Sequence, residues 1–293
     1  MWIVQGLVML PLTLICVALP ERFSQLENSA GYQSSFFGDV RTVMSSPIFR
    51  WTVLGYALQT FVVGGISSFG VSYLQEAIGL SPTMSTLIFG LEVVISGVAG
   101  TALGGYLLDR NNQTHIEVDH AGSVSSIDPE KLITPSVSDG EINSWVIAQG
   151  PVNDAARTVT AARILIYAAL TALPVFALTF ASLNVYMFCI GSMFTEICIF
   201  ACLSPCNGVI MWSQTSPSLR PLAMALSTML IHALGDAASP SVVGALVDYS
   251  GNWLVSFRLL GIWLVLSLGA WWRTANLAQL EFRKAALEID QEY

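Results

Sequence analysis

Seven stretches of the chain run for roughly 18–25 residues with little or no charge, the pattern that lets a helix cross a bilayer. They are Trp2–Leu19, Phe49–Leu74, Thr83–Leu108, Ala162–Phe180, Val185–Trp212, Leu222–Val247 and Trp253–Trp272. The links between them alternate in length. Ser182-Leu183-Asn184 and the run from Asp248 to Asn252 are short enough to force antiparallel hairpins, and the links on the other side are longer. The pattern predicts an all-α membrane protein with seven transmembrane helices. Its six spans from Phe49 to Trp272 are expected to form one bundle of two three-helix repeats with inverted topology.

The longest link, 109–161, is rich in Ser, Asp, Asn and Pro and poor in aromatic residues, so it is expected to be a disordered cytoplasmic loop. Residues 20–48 read as a cytoplasmic linker and 273–293 as a cytoplasmic tail. In that tail Leu277, Leu280, Ala285 and Leu287 lie among charges, which suits a short interfacial helix over Ala275–Ile289. The first apolar run has no basic leader and no small-residue cleavage site, and it ends in Pro20-Glu21-Arg22, so it is not read as a signal peptide. Met1 sits directly at its edge, which suggests the second part of a larger protein.

Composition agrees with the pattern. Hydrophobic residues make up 54% and charged residues 11%, against about 25% charged in soluble domains, and the mean hydropathy is +0.63. Lys and Arg then set the orientation. If the segment after the first span is cytoplasmic, 11 of the 12 basic residues fall on that side and Arg258 alone falls outside. This puts the C-terminus in the cytoplasm and Met1 on the far side. The net charge of −8 sits mostly in 109–161, where eight acids face three bases, so a nucleic-acid partner is not suggested.

Some polar residues lie deep in apolar runs. His232 and Asp236 sit four apart, on one helical face, in the middle of the sixth run. Ionisable groups at that depth cost about 2.5–3.5 kcal/mol each on insertion scales, so they face cavities and find partners. Gly235 and Pro240 beside them loosen the helix, and the pair reads as a proton-handling or ligand contact in a transport pathway. A polar pair that locks two helices together is the alternative. Glu196 and Glu92 are similarly deep and join the same candidate pathway, as does Asn207 near Pro205. Asp109, Arg110 and Arg220, at the inner boundary, are candidate gating residues.

Other features read as packing. Ser96, Gly100 and Gly104 form a small face at four-residue spacing that lets helices approach closely. Cys16, Cys189, Cys198, Cys202 and Cys206 lie in or beside spans and read as small apolar residues. His115 to His120 imitates a metal box within a solvated loop, so no metal site and no cofactor are expected. Asn112-Gln113-Thr114 is a glycosylation sequon on the cytoplasmic side and is expected to be unused.

The stretch His232-Ala233-Leu234-Gly235-Asp236-Ala237-Ala238-Ser239-Pro240 resembles the H-x-x-G-D-x-x-S-P pattern in the eleventh helix of spinster-like transporters of the major facilitator superfamily. Gly90, Gly97, Gly100, Gly104, Gly105, Asp109 and Arg110 are similar to the glycine-rich eighth helix and its closing G-x-x-x-D-R turn, with one extra residue. Glu196, Pro205, Asn207, Arg220, Ala223 and Ala225 resemble the tenth helix and its following loop. Trp51, Gly55, Phe61, Gly64, Gly65 and Tyr73 resemble the seventh. Phe69 and Val71 depart from the Trp and Pro that many relatives carry.

The resemblance covers roughly 1–108 and 162–272. It implies a truncated superfamily fold: a six-helix C-terminal bundle over 49–272, with 1–19 as the last helix of a missing N-terminal six-helix half. The implied function is alternating-access secondary transport, coupled to protons, of amphiphilic lipid-like cargo such as lysophospholipids or sphingoid lipids. The implied setting is the bilayer of the plasma or endolysosomal membrane. On this reading the chain is a fragment that does not transport alone.

A seven-helix receptor is the alternative, since an outside N-terminus and Asp109-Arg110 closing the third span imitate one. Asn111 follows that Arg, however, and the last span lacks an N-P-x-x-Y element. A membrane zinc hydrolase of lipids would need about three metal ligands, and the spans carry one His.

Overall fold

The computed structural model describes residues 35–112, 151–181, 183–214 and 216–292. Trp2–Leu19, Cys16, His115 to His120 and the Gln113-Thr114 portion of the sequon lie outside them. Contacts divide the chain after Asp39, and the bundle belongs wholly to the unit from Val40 onward.

The described chain is helical: α1 Phe36–Ser45, α2 Pro47–Ser72, α3 Pro82–Asn112, α4 Pro151–Thr179, α5 Val185–Phe200, α6 Leu203–Trp212, α7 Arg220–Leu234, α8 Ser239–Ser250, α9 Trp253–Leu259 and α10 Gly261–Glu292. A π-helical turn, Tyr73–Ala77, prolongs α2. Six stretches are long and apolar enough to cross a membrane: Pro47–Ala77, Pro82–Asn111, Asn153–Thr179, Val185–Trp212, Pro217–Ser250 and Trp253–Leu287. Each matches one of the six spans expected after the first, five of them wholly and Ala162–Phe180 to within one residue.

The caps explain where the helices begin and turn. Ser46 accepts the Phe49 N–H at the start of α2, with Pro47 behind it. On the short links Asn184 accepts from Tyr186 and Met187 N–H, and Asn252 accepts from Val255 N–H, so both hairpins restart on an Asn cap. Gly251 closes α8 at φ +60°, a left-handed conformation that suits glycine.

Three helices are longer than hydropathy alone suggests. The expected loop 109–161 is trimmed at both ends, because α3 runs to Asn112 and α4 starts at Pro151. The tail expected to be a separate interfacial helix is continuous with the last span in α10. No Pro or Gly interrupts α10 after Gly269, and its Ala, Leu, Gln, Glu, Arg and Lys residues favour helix in any solvent.

Helix packing has a two-fold logic. Take α2, α3 and α4 as one triplet, and α5/α6, α7/α8 and α9/α10 as the other. The main contacts are α4 with α10, α10 with α2, α4 with α5, α3 with α5, and α2 with α7 and α8. Exchanging the triplets carries the α10–α2 contact onto α4–α5, and α3–α5 onto α2 with α7/α8. The α4–α10 contact maps onto itself. This is the arrangement expected of two inverted three-helix repeats.

Apolar side chains fill the bundle in two clusters. One, toward the end where α2 starts, includes Phe49, Val53, Leu165, Val209, Ile210 and Trp271. There the Trp271 ring lies against Gly55, where a β-carbon would collide with it. The other, toward the opposite end, gathers Phe61, Tyr73, Phe176, Phe180, Phe188 and Phe257. Arg258 closes that end by donating to the Phe180 and Ala181 carbonyls at 2.7 and 2.9 Å, at the C-terminus of α4.

Candidate functional site

The span Pro217–Ser250 breaks where the candidate pair lies. Helix α7 ends at Leu234, residues 235–238 form turns, and α8 begins at Ser239. Pro240 has no N–H, so it leaves the Asp236 carbonyl without its helical donor. The Ser239 hydroxyl supplies one at 3.2 Å. Ala237 N–H reaches back five residues to His232 O at 2.9 Å, a widened turn that completes the break.

This opened segment is wedged against α2. A β-carbon on Gly235 would meet Ile231 O at 2.7 Å and Ala57 O at 2.8 Å, and one on Gly64 would lie 2.9 Å from Asp236 Cα. Thr60 Oγ1 sits 3.1 Å from Ala57 O and 3.4 Å from Ile231 O across the same crossing. The two helices therefore meet backbone to backbone, which fixes where the broken turn sits.

His232 and Asp236 come together as their spacing predicts. His232 Nδ1 lies 2.5 Å from Asp236 Oδ2. Their side chains are 63% and 39% exposed, so the pair opens onto a face that the described bundle does not cover. A carboxylate on one ring nitrogen fixes the tautomer and leaves the other nitrogen free to meet a proton or a ligand.

Glu92 and Glu196 form a second polar centre, on α3 and α5, with no hydrogen bond or ion pair among the described residues joining it to the first. The Ser96 hydroxyl lies 2.6 Å from Glu196 Oε2, within donating distance. Glu196 is 1% exposed and Glu92 5%. The small face expected on α3 packs here. Gly100 lies against Ile197 and Phe200, and Gly104 against the Ala201 backbone, at the break between α5 and α6 that precedes Pro205.

The remaining candidates are dispersed. Asn207 on α6 is half-buried and makes no side-chain hydrogen bond to a described residue. Asp109 and Arg110 are exposed at the end of α3, where Arg110 donates to the Tyr106 hydroxyl at 3.3 Å. Among the described residues neither pairs with Arg220. Arg220 instead donates to Asp154 at the start of α4, and both side chains are largely covered.

Several polar residues at these sites escaped the sequence reading. Asp154 falls in the expected loop 109–161, Ser96 on the packing face of the third span, and Ser239 in the family-like stretch His232–Pro240 with no role of its own. Gln59 is fully buried in α2 beside Cys202, with no geometric hydrogen-bond partner for its amide among the described residues. Four-residue spacing is the signal for Ser96, which follows Glu92 by one turn, and for the buried Ser192 on α5, which precedes Glu196 by one turn.

The chain is 30% identical over 242 residues to the probable sphingolipid transporter spinster homolog 1 of Arabidopsis thaliana, covering 80% of this chain and 39% of that one. To spinster homolog 2 of the same plant it is 27% identical, covering 81% and 40%. The crystal structure of a bacterial homologue of the human lysosomal transporter spinster, inward-facing and unoccupied, matches the fold. The TM-score is 0.57 at 15% identity, covering 86% of this chain and 52% of that one. The chain is similar in sequence to the spinster-like transporters over about four fifths of its length.

It spans about two fifths of the length of those plant relatives. The described bundle has a truncated major facilitator superfamily fold, matching about half of that solved structure, and the chain is a multi-pass integral membrane protein. Residues 2–124 also match the Organic Anion Transporter Polypeptide (OATP) family. A stretch of 68 residues is 31% identical to mouse solute carrier organic anion transporter family member 4A1, covering 23% of this chain and 9% of that one.

Proposed function

We propose that this chain supplies one six-helix half of an alternating-access, proton-coupled transporter for amphiphilic, lipid-like cargo such as sphingoid lipids or lysophospholipids. The observation that carries the reading is the broken turn at 235–238, which holds a His–Asp pair on the face the bundle leaves open. Transporters build their midplane sites from interrupted helices at the interface between repeats.

In this mechanism His232 and Asp236 hold a proton between them. Gaining or losing it changes the charge that must be exposed to one side or the other, and so biases which side opens. Asn207, Glu196 and Glu92 contribute further polar groups to the pathway. Arg220, fixed to Asp154, holds the start of α7 to α4. Asp109 and Arg110, exposed on the surface of this bundle, gate by meeting the other half. The C-terminus faces the cytoplasm, and the plasma or an endolysosomal membrane is the setting. The relatives' own designation as probable sphingolipid transporters supports the cargo class, and no enzymatic step is needed.

The test is flux through a full-length transporter that carries this half, reconstituted in vesicles with an imposed pH gradient. Labelled sphingoid base, lysophospholipid and a bulky organic anion are offered separately. Gradient-dependent uptake of the lipid-like cargoes, abolished by a protonophore, is expected. Uptake of the organic anion alone would overturn the cargo class, and uptake indifferent to the gradient would overturn the coupling.

A further inference from the structure

Glu92 lies ten residues into α3 from Pro82, and Glu196 eleven into α5 from Val185. At about 1.5 Å per residue both sit roughly 15–17 Å from the same end of the bundle, close to the middle of a hydrocarbon layer about 30 Å thick. Both are nearly fully buried, and Ser96, whose hydroxyl lies 2.6 Å from Glu196 Oε2, stands one helical turn from Glu92 on α3. The interface between α3 and α5 therefore places two carboxyl groups at one depth with very little water.

Their hydrogen bonding is unequal. Glu196 has the Ser96 hydroxyl at 2.6 Å. Glu92 has Ser192 beside it, but that hydroxyl is donated to the Phe188 carbonyl, and neither Glu92 oxygen is geometrically hydrogen-bonded among the described residues. Among the described residues no base pairs with either acid. Between residues 51 and 72 of α2, 164 and 179 of α4, and 203 and 212 of α6, the packed helices carry no Lys, Arg or His. The nearby titratable group is the Cys189 thiol on α5, and Tyr56 on α2 lies with Cys202 and Cys206.

We infer that Glu92 and Glu196 form a proton-binding site in the α3–α5 interface, distinct from the His232–Asp236 pair. Two ionised carboxylates side by side at membrane depth would be an uncompensated double charge in a low-dielectric interior. Carboxyl pairs in that position share a proton. A sodium ion is a poorer occupant, because a hard cation needs about six oxygen ligands. Here there are two carboxylates and two serine hydroxyls already engaged in donation. The site does not depend on transport, so it stands or falls separately from the function proposed above.

The experiment is infrared spectroscopy of the purified 293-residue chain in lipid nanodiscs at neutral pH, with carbon-13 glutamate to mark Glu carbonyls. A protonated-carboxyl band that shifts with the label is expected. It should persist in Asp236→Asn and be lost in the double variant Glu92→Gln/Glu196→Gln. Absence of the band from the wild type would overturn the site. So would its survival in the double variant, or its removal by sodium chloride but not choline chloride, which would identify a metal ion instead. If the double variant does not fold, Glu92→Gln alone decides: the band must move or vanish, and an unchanged band overturns the inference.

Discussion

The contact between α3 and α5 predicts opposite effects for one substitution at two glycines of the same helix. A β-carbon on Gly104 would overlap the carbonyl group of Ala201, and one on Gly100 would lie 2.6 Å from Phe200 Cβ and 2.7 Å from Ile197 O. Most of these neighbours are backbone and cannot swing aside. On Gly97, in the same helix, a β-carbon meets nothing within 4 Å. Overpacking costs about 1–3 kcal/mol, whereas Gly to Ala at an open helical position stabilises by about 0.5–1 kcal/mol.

Gly104→Ala can be relieved only by moving α3 away from α5, which stretches the Ser96–Glu196 hydrogen bond as well. A net loss of about 1–3 kcal/mol is expected for Gly104→Ala, against a neutral or slightly stabilising Gly97→Ala. Equilibrium unfolding in mixed micelles, titrated with a denaturing detergent, reads both on one scale. Equal stabilities for the two variants, within about 0.5 kcal/mol, would refute the packing argument.

Two further predictions rest on single contacts. Ser239→Ala removes the donor that serves the Asp236 carbonyl beside Pro240 and should cost about 1 kcal/mol in the same unfolding assay. Ser239→Thr, which keeps the hydroxyl, should recover most of that, and an unaffected Ser239→Ala would count against the account of the break. A double-mutant cycle on Arg220 and Asp154 should give a coupling of about 1 kcal/mol that weakens as salt is added; zero coupling at low salt would mean the pair contributes no stability.

Hydropathy made the spans legible, because only length and apolarity are needed to cross a bilayer. It could not show where helices continue into water. Residues 151–161 and 273–292 are polar yet helical, held by propensity and packing rather than by burial in lipid. The His232–Asp236 pair was legible because both partners lie on one helix, where spacing dictates geometry.

Glu92 and Glu196 were visible singly. Their meeting depends on the register of two helices about a hundred residues apart, which the glycine face sets and no local pattern encodes. The same holds for Arg220 and Asp154. The polar composition around Asp154 resembles a loop, and its partner lies 66 residues away.

Asp236→Asn decides whether the broken turn carries a titrating pair or a structural one. The substitution keeps the side chain's shape and hydrogen bonding to His232 but removes its titration. In a full-length transporter carrying this half, the account predicts normal folding and delivery to the membrane, with loss of the flux that depends on the pH gradient. Normal transport with unchanged pH dependence, or failure to fold, would contradict it and leave the pair as a packing element.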